Sequence, residues 1–315
     1  AGTRSEREIL ASYVDDIAAR ARIERPVRFA YDSGNGAAAL VAARVFEALG
    51  QDPVALFDEP DGTFPNHHPD PTIPEFVQDL RQRVLSDGLE FGVAYDGDGD
   101  RIGVIDARGE ILWGDRLLVL FARDLLARSP GAQVIHDVKC SQTLTDAVRE
   151  AGGEPVVWKT GHSLIKQKMK ETGAQLAGEM SGHLFLGENW YGFDDAIFAT
   201  VRLLEIVARD GRALHEILAD VPVLEATPEI RVDCPDETKF EVVERVREHF
   251  RAIAPVVEID GARVSFDHGW GLVRASNTQP ALVVRVEADT AENLARYQSR
   301  VEDAIAEARR KVGEV

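Results

Sequence analysis

The strongest constraint on the fold is a repeated alternation of a short apolar run, a turn rich in glycine or aspartate, and a stretch whose apolar residues recur at helical spacing. A helix over Ser5 to Arg22, with Ile9, Tyr13, Ile17 and Ala21 on one face, leads into the run Val27–Tyr31, the turn Asp32-Ser-Gly-Asn-Gly36, a helix over Ala37–Leu49 and the run Pro53–Phe57. A Pro-rich segment, a helix through Val84, and the runs Glu90–Tyr95 and Ile102–Asp106 complete this unit. The pattern then recurs: helix Leu117–Ala127, strand Gln133–His136, helix Thr143–Ala151, strand Pro155–Trp158, helix Ser163–Glu171, strand Gln175–Gly178 and helix Asp195–Ala208. Strands alternating with helices of this length predict α/β layers with substantially parallel sheets. The final stretch changes order: strand Glu229–Val232, helix Lys239–Phe250, short runs at Val256–Ile259, Ala262–Phe266 and Ala281–Val286, and helix Ala291–Arg310. The predicted architecture is two similar mixed-sheet α/β domains, residues 1–110 and 111–222, followed by a smaller α+β domain over 223–315.

Charge narrows the partners. With 36 Lys and Arg against 54 Asp and Glu, the net charge is −18 at pH 7, which argues against non-specific binding to nucleic acid or an anionic membrane. An anionic substrate requires local cations and backbone N–H groups. No run reaches the ~18 apolar residues of a membrane helix, and the first residues lack the apolar core of a secretory signal. Cys140 and Cys234 stand far apart, consistent with unbridged thiols in a reducing compartment. A soluble, cytoplasmic protein with no nucleic-acid or membrane partner is the expectation.

Three motifs carry chemistry. Tyr95-Asp96-Gly-Asp98-Gly-Asp100-Arg101 follows an apolar run; carboxylates at alternate positions of an extended backbone share one side and can converge on a cation. Three hard oxygen donors suit Mg²⁺, and Arg101 can grip a phosphate beside it. A solvated acidic turn is the alternative reading. A calcium loop of the EF-hand type is excluded, because Arg101 and Ala107 stand where it needs Gly and Glu. Gly178-Glu179-Met-Ser181-Gly-His183 offers hydrogen-bonding groups for a polyol and an imidazole that titrates near neutrality; alone it is an ordinary surface loop. Trp270-Gly-Leu-Val-Arg274-Ala-Ser276-Asn277-Thr278-Gln-Pro280 gathers donors suited to a phosphate around a turn, with a plain turn between strands as the alternative. Lys139 and the Thr160-Gly-His162-Ser163 turn lie at helix starts, where anions are favoured.

With Asp61-Gly-Thr-Phe-Pro-Asn-His-His-Pro-Asp70, Asp137-Val-Lys139 and Lys159-Thr-Gly-His-Ser163, these motifs occur in an order that resembles the α-D-phosphohexomutase superfamily, specifically its bacterial phosphomannomutase/phosphoglucomutase branch, over essentially the whole chain. The resemblance implies interconversion of hexose 1-phosphate and 6-phosphate through a phosphoserine and a hexose 1,6-bisphosphate. It implies Mg²⁺ on Asp96, Asp98 and Asp100 with Arg101 beside the phosphoserine. Lys139 and His162 would hold substrate, and Glu179 and Ser181 would contact the sugar O3 and O4. His183 would be a general acid/base, and Arg274, Ser276, Asn277 and Thr278 a clamp on the phosphate not being transferred. Members of the family carry a preceding domain with a Ser-His-Asn-Pro type loop, and nothing in this sequence resembles that loop. The expectation is therefore a chain corresponding to the family's second to fourth domains, inactive alone; a non-catalytic sugar-phosphate binding module is the second reading.

Overall fold

The computed structural model describes residues 2–313. The first sheet has the strand order Val54–Leu56, Phe29–Asp32, Phe91–Tyr95, Ile102–Asp106, Ile111–Leu112. Its first three strands run parallel, and Ile102–Asp106 returns antiparallel as a hairpin with Phe91–Tyr95. The second sheet repeats the scheme with Glu154–Trp158, Gln133–Asp137, Leu176–Gly178 and Leu184–Leu186. Three parallel strands are again followed by an antiparallel return. In each unit the parallel strands give way to an antiparallel hairpin, and those hairpins carry the aspartate-rich loop and the Glu179–His183 loop; in the first sheet Ile111–Leu112 pairs beyond the hairpin, so the first unit runs past the expected boundary at 110. The third sheet is antiparallel throughout its described pairings, built on Ala281–Ala288 and Gly269–Ala275, with the helices Lys239–Arg251 and Ala291–Lys311 packed on it. Two mixed α/β units and an α+β unit are thus what the chain forms.

One continuous core runs through the first two units, from Val14 and Ile17 through Phe29, Phe91 and the buried helix Gly114–Arg128 to Val221. The third unit has its own core under Leu282, Val284, Tyr297 and Val301. Val138, Trp270 and Leu272 join the second and third units.

Several elements differ from the sequence reading for physical reasons. The first helix begins at Leu10, not Ser5. Residues 2–9 are exposed and have no surface to pay their ordering entropy. The expected helix over Ala37–Leu49 is a 3₁₀ turn, Ala37–Leu40, followed by α-helix Ala42–Ala48. Its start is tied down: Ala37 N–H donates to Gly97 O at 2.9 Å, and a Cβ on Gly36 would lie 2.7 Å from that same oxygen. Gly269–Ala275, read as part of a turn motif, is a seven-residue strand. Its Gly271 leaves room for Val301 of the covering helix, whose Cγ2 would sit 2.7 Å from an added Cβ.

Candidate active site

The aspartate loop corrects one expectation. Asp96, Asp98 and Asp100 do not line one side of an extended strand; the chain leaves the sheet at Tyr95 and turns around Asp96. Buried Asp96 Oδ1 accepts the backbone N–H groups of Gly99 (3.1 Å), Asp100 (3.0 Å) and Arg101 (3.0 Å). Gly99, at φ +80°, allows the reversal. The turn brings a carboxylate oxygen from each aspartate within 4.8 Å of the others. Burial and the negative charges of Asp96, Asp98 and Asp194 push the Asp100 carboxyl up to about 6, against the favourable field of His183. Three carboxylates gathered this closely fit a divalent cation.

Arg101 Nε donates to Asp96 Oδ2 at 2.7 Å and its Nη1 to Asp70 Oδ1 at 3.1 Å. Burial opposes its charge, but Asp96 and Asp70 outweigh that and hold the guanidinium fully cationic. Asp70 sits in the Pro-rich loop, where Thr72 N–H and hydroxyl also donate to it.

The two hairpins interlock across the first and second units. Ile102 N–H donates to Gly182 O at 3.1 Å, and Arg101 and His183 form a β-bridge. Gly182 has φ +96°, and a Cβ there would stand 2.4 Å from Ile102 O. Glycine is required at this contact. His183 consequently points at the aspartate loop: its Nδ1 is 3.5 Å from Asp100 Oδ1 and 3.1 Å from Asp194 Oδ2, and its Nε2 is 3.9 Å from Glu179 Oε2. Burial disfavours the imidazolium, but Asp194, Glu179 and Asp100 together leave its pKa raised.

The remaining groups join by a chain of polar contacts. Buried Glu179 accepts Gly161 N–H at 2.5 Å and lies 3.4 Å from the Ser181 hydroxyl. Burial and nearby Asp137 raise the Glu179 carboxyl. His162 meets Asp194 Oδ2 at 3.1 Å. Thr160 N–H and Arg274 Nε both donate to Asp260 Oδ2, at 3.1 and 2.8 Å, so Asp260 couples the second unit to the third. Lys139, buried beside Asp137, pairs with Glu229 at 3.2 Å. A cleft of about 810 Å³ is lined by Arg101, Lys139 and Ser181 together with Asp70, Arg231 and Arg285. Ser276, Asn277 and Thr278 are not drawn into the cluster: the Ser276 hydroxyl accepts N–H groups of its own turn, and Asn277 and Thr278 are exposed at its tip.

Sequence reasoning missed Asp194, Asp260, Lys166 and Arg285. Asp194 directly precedes Asp195, the N-cap of the helix Ala196–Asp210, and that cap was the one local signal near it.

Three consecutive units joined by polar contacts between their loops, with an acidic cation cluster in the first and a buried arginine in the third, define a chain of the α-D-phosphohexomutase class. Family models for phosphoglucomutase/phosphomannomutase match its alpha/beta/alpha domain II at residues 11–109, domain III at 113–224 and C-terminal domain at 229–304. The chain belongs to the phosphoglucomutase/phosphomannomutase family. It is 49% identical over 292 residues to a phosphomannomutase/phosphoglucomutase of Pseudomonas putida, covering 92% of this chain and 63% of that protein. It is 46% identical over 299 residues to the Pseudomonas aeruginosa PAO1 protein of the same description, covering 95% and 65%. A crystal structure of a family protein from Burkholderia thailandensis superimposes with TM-score 0.92 at 44% identity, over 98% of this chain and 66% of that one. The chain therefore spans about two thirds of the length of these relatives. Among the described residues, no helix is long and apolar enough to cross a membrane.

Proposed function

We propose that this chain is the cation-, sugar- and phosphate-binding body of a phosphohexomutase that interconverts mannose or glucose 1-phosphate and 6-phosphate. One observation carries the reading: hydrogen bonds run from Arg274 to Asp260 and on to Thr160, and from its chain neighbour Gly161 to Glu179, and ion-pair contacts of 3.9 and 3.5 Å continue through His183 to Asp100, linking loops from all three units. The units, taken as residues 1–110, 111–222 and 223–315, each lend one loop.

In this reading Asp96, Asp98 and Asp100 hold Mg²⁺, which neutralises charge on a phosphoryl group when bound. Arg101, braced between Asp96 and Asp70, presents its guanidinium to the cleft. Glu179 and Ser181 accept and donate hydrogen bonds to the sugar O3 and O4. Glucose and mannose are identical at those positions, which gives a physical basis for accepting both. His183 moves a proton to or from a sugar hydroxyl, its basicity raised by Asp194, Glu179 and Asp100. Lys139 and His162 hold substrate from the second unit, and Arg274 with Ser276, Asn277 and Thr278 clamps the phosphate that stays. Because phosphoryl transfer depends mostly on positioning and charge stabilisation, these groups act without being the nucleophile. The donor serine is proposed to reside on a further domain. Turnover by this chain alone is then negligible. The retained aspartate cluster favours this reading over a module that only binds sugar phosphates, since binding alone needs no divalent site.

The test is calorimetry with glucose 1-phosphate and mannose 1-phosphate in the presence of Mg²⁺. Both bind, and Arg274→Ala weakens each by about tenfold or more, as loss of a charge-assisted contact worth roughly 1.5–3 kcal/mol demands. No binding of either sugar phosphate, or equal binding by the variant, overturns the site assignment. A coupled 1-phosphate to 6-phosphate assay tests the rest: turnover by the purified chain alone refutes the need for a donor domain.

A further inference from the structure

We propose that Asp100, His183 and Asp194 form a second, nitrogen-containing cation site that takes a borderline-soft divalent ion of the zinc type. The donors come from two hairpins and the loop before the helix Ala196–Asp210. One oxygen of Asp100, one ring nitrogen of His183 and one oxygen of Asp194 all lie within 4.8 Å of one another.

The spacing selects the ion class. Ligands on a tetrahedral zinc, with bonds of about 2.0–2.1 Å, stand roughly 3.3 Å apart. His183 Nδ1 lies 3.1 Å from Asp194 Oδ2 and 3.5 Å from Asp100 Oδ1. That nitrogen is buried yet makes no well-directed hydrogen bond, an arrangement that a metal can satisfy. An imidazole with carboxylates suits zinc-class ions, whereas the all-oxygen Asp96, Asp98 and Asp100 group suits Mg²⁺.

The surroundings supply the outer partners that such sites use. Lys166 Nζ donates to Asp194 Oδ1 at 2.8 Å, leaving Oδ2 directed at the histidine. His162 Nδ1 meets that same Oδ2 at 3.1 Å, and its ring centroid is 5.6 Å from that of His183. A second imidazole is therefore within a small side-chain movement of completing a four-ligand set.

Asp100 belongs to both groups. An ion on the histidine site draws this carboxylate away from the aspartate cluster, so zinc-class ions antagonise Mg²⁺ by occupying a neighbouring position.

The experiment uses the purified chain at about pH 8, where unpaired imidazoles are neutral. Zn²⁺ binding is followed by calorimetry, nitrogen ligation by electron paramagnetic resonance of bound Cu²⁺, and the aspartate cluster by Mn²⁺. His183→Gln and Asp194→Asn weaken Zn²⁺ about tenfold or more, and His183→Gln also reduces nitrogen coupling in the Cu²⁺ spectrum, while Mn²⁺ binding is not weakened. Asp98→Asn does the reverse. Melting curves confirm that each variant folds, and His183→Gln carries the test if Asp194→Asn does not fold. A Cu²⁺ spectrum without nitrogen coupling in the unmodified chain overturns the proposal. So does a loss of Zn²⁺ binding in Asp98→Asn as large as in His183→Gln.

Discussion

Replacing Gly182 by alanine tests the joint between the two hairpins. Gly182 sits at φ +96°, a conformation that costs an L-residue about 1–2 kcal/mol. The new Cβ would stand 2.4 Å from Ile102 O, about 1 Å inside ordinary contact, so the Glu179–His183 loop must retreat by a similar distance. Retreat weakens the Ile102 N–H to Gly182 O bond, now 3.1 Å, worth about 1 kcal/mol net. Repacking adds about 1–3 kcal/mol. The expected loss is roughly 3–6 kcal/mol in a urea titration, with hexose-phosphate affinity falling tenfold or more because Glu179, Ser181 and His183 move together. Gly211→Ala is the matched control. It has φ +79° at the end of the helix Ala196–Asp210, and nothing lies within 4 Å of its would-be Cβ. It carries the backbone cost alone, roughly 1–2 kcal/mol. Two variants agreeing within about 0.5 kcal/mol, or unchanged ligand affinity in Gly182→Ala, would refute the claim that this contact sets the loop.

Three other perturbations have definite outcomes. Burial pushes His136 down to about 4 from an ordinary 6.5. Between those values the unfolded chain takes up a proton that the folded one refuses. Stability is thus full above pH 6.5 and falls as pH drops towards 4; at about 1.4 kcal/mol per pH unit, roughly 3 kcal/mol is lost. Urea titrations across that range should show a flatter profile in His136→Gln. Asp195→Ala removes the acceptor for Phe198 N–H (2.9 Å) and for the half-buried Tyr13 hydroxyl (2.9 Å); a lost helix cap and a stranded hydroxyl together cost about 1–3 kcal/mol, measurable by thermal denaturation. Asp70→Asn releases one end of Arg101 at a part-exposed position. Calorimetry should show hexose-phosphate affinity falling several-fold while stability changes by less than about 1 kcal/mol.

Local patterning carried much of the architecture. Ile102–Asp106 and Ala262–Phe266 coincide with their predicted spans, because each is bounded by turn residues. The helix Gly114–Arg128 was legible from its apolar density. Where a distant partner intervened, prediction failed. The 3₁₀ start at Ala37 depends on Gly97, and the strand Gly269–Ala275 carries Gly269 to clear the backbone of Glu287 and Gly271 to clear Val301 of the covering helix. At the site, the identities of Asp96, Asp98, Asp100, Arg101, Glu179 and His183 were readable as motifs, because chemistry of that kind needs those residue types close together in the chain.

The order of units, the acidic character and the loop composition follow from short-range rules of periodicity, turn preference and ligand chemistry, and a string of letters contains those. Which way the loops face is another matter. The lock of Gly182 on Ile102, and the roles of Asp194 towards His162 and Asp260 towards Thr160 as bridges, all join residues far apart in sequence. Such contacts arise only when separate sheets pack on one core, because their energies are settled by close approach and excluded volume and not by any neighbour along the backbone.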